Sequence, residues 1–170
     1  GSSTLGSGSV DIAAGGTTDT AQAGGSVTIR SGGGSVSSSG SIDMATEEAS
    51  WRGSSGWLAL STGKAAAGYS GAISMITGAA TQGSAGSILL STGNAVSGDA
   101  GNVQVLVGTT DQGQGGTIQL NAGSSTDGLA KGGDIQVRSG EGPEASGSVT
   151  VLTADAASSG NSGAVEIRSG

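Results

Sequence analysis

Aliphatic residues recur along this chain as pairs two positions apart, with a mostly polar residue between them and a Gly shortly before. The unit G-x-[VIL]-x-[ILMV]-x-[small]-G is met eleven times, as in GSVTIRSG, GAISMITG, GSILLSTG and GDIQVRSG. Its first aliphatic positions are Val10, Val27, Ile42, Leu58, Ile73, Ile88, Val103, Ile118, Ile135, Val149 and Val165, spaced 14 to 17 residues apart. Alternation of apolar and polar positions is the pattern of a short strand with one covered face. Repetition at so short an interval predicts one turn of chain per repeat.

Between the aliphatic pairs lie stretches such as GAATQGSAG (78–86), where Gly recurs about every five residues. Gly admits the backbone conformations that tight corners require. Seven residues after each first aliphatic the side chains are small, as at Ala49, Ala65, Ala80, Ala95 and Ala156. The expected fold is therefore all-β: a single parallel β-solenoid, or β-helix, of about eleven 14–17-residue rungs running through residues 1–170 as one continuous array. Its core would be thin and asymmetric, with aliphatic ladders facing a wall of Ala, Ser, Thr and Gly. That register buries Ile73, Met75, Ile88, Leu90, Val103 and Val105 and leaves Ser74, Leu89 and Gln104 outside. It also stacks Gln104, Gln119 and Gln136 into an amide ladder. A flexible Gly/Ser linker shares the composition, but has no reason to keep an aliphatic pair in register eleven times.

Composition narrows the chemistry. Of 170 residues 36 are Gly and one is Pro, with no His, Cys or Phe and three aromatics, Trp51, Trp57 and Tyr69. Collagen is excluded, because there is no Gly-X-Y period and almost no Pro. Without His or Cys the chain offers no Ser-His-Asp or Cys-His catalytic group, no zinc site and no disulfide. A net charge of -7 argues against nucleic acid and anionic membrane surfaces as partners. No apolar run nears the roughly 18 residues of a membrane span, so no membrane insertion is expected. The opening GSSTLGSGSV also lacks a charged-then-apolar export signal. The nine-residue calcium-roll signature is absent. The expectation is a non-enzyme with no catalytic, metal or cofactor residues.

Two sets of residues stand out from the repeat. The apolar positions expected to project outward are Trp57, Ile76, Leu89, Leu106 and Leu152, which on adjacent rungs would form a lateral interface. The third repeat departs from the pattern at Glu47, Glu48, Trp51 and Arg52, a loop that could contact a sugar, a cation or a neighbouring chain. Adjacent carboxylates on such a segment point opposite ways, so a solvated loop with Trp51 packed on the rod is the expected arrangement, not acid/base catalysis. Arg30, Arg138 and Arg168 share one repeat position and are expected to pair with acids on neighbouring rungs or rods. Thr46, Thr62, Thr77 and Thr92 fall on four consecutive repeats, where an ice-binding face would need Thr; a place at the corner is the competing expectation.

The strings GGSVTIRSG, SGAISMITGAA, AGSILLSTGNAVSGDAGNV and SGAVEIRSG resemble the Gly/Ser/Thr-rich repeats of large surface and extracellular proteins of microalgae and bacteria. The resemblance spans the chain through a degenerate motif and carries no functional residues over. It implies an elongated structural role, extracellular or at the cell surface. The expected function is thus a segment of a filament, surface appendage or adhesin stalk that self-associates end to end and laterally, with carbohydrate as a possible partner. End-to-end stacking of copies would place Val165 fifteen residues before the next Val10, an ordinary repeat, and neither end looks capped. An ice-binding or other surface-binding solenoid is the alternative, and a carbohydrate-processing β-helix enzyme is a third reading.

Overall fold

A computed structural model describes residues 8–157 and 159–170. The first seven residues, which enter the end-to-end spacing above, lie outside the described residues. Among those described there is no helix and no strand. The parallel β-solenoid expected from the alternation is therefore not the fold of this chain. No sheet forms, and the backbone hydrogen bonds span three to ten positions, never the fourteen to seventeen that would join one rung to the next.

What the repeat builds instead is a series of closed loops. After each aliphatic segment the chain makes a loop whose two ends meet at a neck, and the neck residues are separated by only 7 to 10 positions. Compact surface loops with adjoining ends are a common way of organising chain that lacks regular structure. The chain divides into two units, Gly1–Ile88 and Leu89–Gly170, and each contains five such necks.

In the first unit, Gly25 N–H donates to Gly15 O at 2.8 Å and Gly40 N–H to Gly32 O at 2.9 Å. The next three necks are closed by methyl groups: a Cβ placed on Gly56, Gly71 or Gly86 would meet the side chain of Thr46, Thr62 or Thr77 at 3.3–3.7 Å. In the second unit Thr92, Val107 and Thr153 stand in the same way against Gly101, Gly116 and Gly163. The remaining two necks are backbone bonds, Gly133 N–H to Gly123 O at 2.9 Å and Gly147 N–H to Gly140 O at 3.0 Å.

The loops bend in register with the repeat. Bends fall at residues 66–68, 81–83, 96–98 and 111–113, and each ends in a Gly with positive φ: Gly68 at 102°, Gly83 at 106°, Gly98 at 120° and Gly113 at 106°. No residue with a side chain adopts positive φ among the described residues, which is why Gly holds this place fifteen residues apart four times running.

No described residue is buried. The side chains expected to form aliphatic ladders are exposed, Ile73 and Val103 by about half, Met75 and Leu90 by more. Alternation survives only as a gradient. In the second to eleventh units the first aliphatic residue is 50–71% exposed and its partner two positions on is always more so, while Trp57, Ile76, Leu89, Leu106 and Leu152 reach 82–86%. The half-buried positions are small residues of loops and necks, Ala49, Ala65, Thr77, Ser139 and Ala156.

The physical reason for the missing sheet lies in the wall facing the aliphatic residues. A Val, Ile or Leu side chain contributes its full ~1.5–3 kcal/mol only when completely covered, and Ala, Ser and Gly offer little area with which to cover it. Against that small gain stands the conformational entropy of every residue in the rung, greatest for Gly. Closing a short loop restricts less chain than completing a coil, and each neck needs only one hydrogen bond or one methyl contact.

Candidate functional site

The two candidate sets sit on different parts of this architecture. Trp57, Ile76, Leu89, Leu106 and Leu152 each belong to an aliphatic segment, the first two in the first unit and the other three in the second. Exposure above four-fifths leaves little of any of them covered by chain. They are available for contact, and no strand ladder sets them in a row as the solenoid would have done.

Glu47, Glu48, Trp51 and Arg52 occupy the loop closed by Thr46 and Gly56. Within it Gly53 N–H donates to Ser50 O at 2.9 Å, a tight turn with Trp51 and Arg52 at its apex. The Arg52 guanidinium carbon lies 4.4 Å from the Trp51 ring centroid, a cation–π stack worth about 0.5–1 kcal/mol at an exposed site. Trp51 is 86% exposed, so it does not pack on a rod as expected. The reason is the turn, which lifts the ring to the loop apex. Arg52 makes no ion pair with Glu47 or Glu48 among the described residues, and the loop holds no constellation of facing carboxylates.

The basic residues pair locally, not between rungs. Arg138 pairs with Glu141 and Arg168 with Glu166, both within a few residues, and Lys131 Nζ lies 3.1 Å from Asp134 Oδ2. All six side chains are well exposed, so each pair contributes little. Gln104, Gln119 and Gln136 form no amide ladder among the described residues, because the strands that would carry it are absent. The Thr row lies at the loop necks, with Thr46, Thr62, Thr77 and Thr92 turning their methyl groups onto Gly.

Two features escaped the sequence. Loop apices carry fully exposed apolar side chains, Val36, Tyr69, Val96 and Leu129. They fall 8 to 11 positions after the preceding first aliphatic residue, with no fixed offset, so periodicity does not reveal them. Two loops share a relay of turns. Asp19 N–H donates to Thr17 Oγ1 and Ala21 N–H to Asp19 Oδ1, at 3.0 and 2.9 Å. Asp127 N–H and Leu129 N–H donate likewise to Ser125 Oγ and Asp127 Oδ1, both at 3.1 Å. The legible signal was [ST]-x-D-x-[AL], in which short polar side chains take up neighbouring N–H groups.

Among the described residues there is no cavity, no group of three or more acidic side chains placed to hold a cation, and no helix long and apolar enough to cross a membrane. Comparison of the chain with protein-family models, with curated proteins and with solved structures finds no match.

Proposed function

We propose that this chain is a structural repeat protein whose work is association with copies of itself, as part of an extracellular filament, surface appendage or adhesin stalk. The observation that carries the reading is the exposed aliphatic pair, repeated eleven times in a chain with no buried residue. The accessible surface is 17124 Å² for 15.8 kDa, whereas a compact monomer of that mass exposes about 7,300 Å². A standard protein–protein interface removes roughly 1,600 Å² in total, so several contacts per chain could form before the apolar surface is used up. Apolar area left in water on this scale favours intermolecular burial. The extracellular setting is supported by the resemblance of the Gly/Ser/Thr-rich strings to surface-protein repeats.

Sedimentation velocity across a concentration series, with electron microscopy of the most concentrated sample, tests the reading. The expected result is growth from small species into elongated assemblies as concentration rises. A single 15.8 kDa species at every concentration overturns it.

A further inference from the structure

Two segments of the second unit repeat both a sequence and its electrostatic surroundings. Val103-Gln104-Val105-Leu106 and Val149-Thr150-Val151-Leu152 are both V-x-V-L. Each lies in a six-residue window, 102–107 and 148–153, that contains no charge, no Gly and no Pro. Asp99 and Asp111 flank the first window, Glu144 and Asp155 the second, and no Lys or Arg lies between the members of either acidic pair. None of these four acids joins an ion pair among the described residues. No backbone group of either window makes a backbone hydrogen bond among them either, and Val103, Val105, Leu106, Val149, Val151 and Leu152 are all more than half exposed.

Short, uncharged, β-branched windows with open backbone groups pair with identical windows of other chains. Acids set just outside such a window oppose that pairing. The opposition holds in either direction of approach. Parallel pairing in register sets Asp99 beside Asp99 and Asp111 beside Asp111, and antiparallel pairing sets Asp99 close to Asp111. Neighbouring paired chains lie about 4.8 Å apart, well inside the ~10 Å screening length at 0.1 M salt, which shrinks to ~3 Å at 1 M.

Resting on the self-association reading, we propose that these two V-x-V-L segments are where a second copy docks, backbone to backbone, and that the flanking carboxylates gate the docking by salt. The occupant is a second copy because each window is matched to itself in length and side-chain pattern, and Gln104 can stack amide on amide with its own counterpart. Salt strengthens this contact. A basic partner drawn to the same acids would instead be released by salt.

The test is sedimentation of the full chain from 10 mM to 1 M sodium chloride. Three variants accompany it: V105P/V151P, which removes backbone donors without changing charge; V27P/V137P as a control outside the windows; and D99N/D111N/E144Q/D155N. The parent chain should associate at a concentration at least tenfold lower in high salt than in low salt. V105P/V151P should need at least tenfold more protein than the control at every salt concentration, and the neutralised variant should associate in low salt as the parent does in high salt. Association of V105P/V151P equal to the control overturns the segment assignment while leaving self-association standing. Absence of association in every chain removes the proposed function and this inference together. Association weakened by salt, or seen only when polylysine is added, overturns the second copy in favour of a basic partner.

Discussion

Val107 stands over Gly116 so closely that a Cβ placed on that Gly would lie 2.6 Å from Val107 Cγ1. Thr fills the corresponding place at 46, 62, 77, 92 and 153. Val and Thr share a shape and differ by a hydroxyl, so the neck uses the methyl group. Gly116→Ala is therefore expected to open this loop, at a cost of about 1–3 kcal/mol in local closure. Thr77→Val should leave its neck closed. Cross-peaks between the residue 107 methyls and residue 116, and between residue 77 and Gly86, check both expectations by NMR; a retained 107–116 contact in the Ala variant would show that the slot has room to spare.

Gly98 and Gly93 lie five residues apart and should respond oppositely to Ala. At Gly98 the φ of 120° is one that a side chain resists, and imposing it costs about 1–3 kcal/mol. Nothing surrounds Gly93, whose φ is unremarkable, and there Ala stabilises the closed loop by about 0.4–1 kcal/mol through the open chain's lost freedom. Paramagnetic broadening between spin-labelled position 92 and Gly101 should fall in Gly98→Ala and hold or rise in Gly93→Ala.

Ile88→Asp, a substitution that would unfold a solenoid, should be tolerated. Ile88 is 61% exposed and packs into no core, so its carboxylate remains in water and meets none of the penalty of a buried charge. The expected outcome is an unchanged far-ultraviolet circular dichroism spectrum and hydrodynamic radius in dilute solution. Collapse of either signal would mean that a core exists around Ile88.

Amide exchange should mark the necks. Gly25, Gly40, Gly133 and Gly147 N–H groups are bonded across their loops, and a bond of about 1 kcal/mol slows exchange roughly fivefold. Amides within the aliphatic segments, for example Ser74 and Leu89, are expected at near-intrinsic rates. Exchange mass spectrometry or NMR reads this pattern directly; strong protection of the aliphatic segments would establish a ladder between repeats.

The unit itself was legible in the sequence. Eleven aliphatic pairs, the Gly corners and the small residues between them all correspond to features of the chain: segments, loops and half-buried loop positions such as Ala49, Ala65 and Ala156. Exposed Trp57, Ile76, Leu89, Leu106 and Leu152 were also legible, because alternation orders side chains by exposure even where nothing is buried. The Trp51 and Arg52 stack was not, since two neighbours in a loop declare nothing about which of Glu47, Glu48 and the ring the guanidinium will take.

Period-2 alternation states which side chains share a face and is silent about what covers that face. By itself the sequence determined the repeat, its fifteen-residue spacing, its acidity and its lack of nucleophilic and metal-binding side chains. Only the tertiary structure decided where the chain closes on itself. Thr46 meets Gly56 and Thr62 meets Gly71 within a single repeat, whereas a solenoid would have joined each segment to its counterpart in the next. The difference is one of range: a contact 7 to 10 residues away costs little chain entropy and needs one methyl or one hydrogen bond, but a rung needs an opposing wall with enough area to bury the aliphatic pair, and Ala, Ser, Thr and Gly do not supply it.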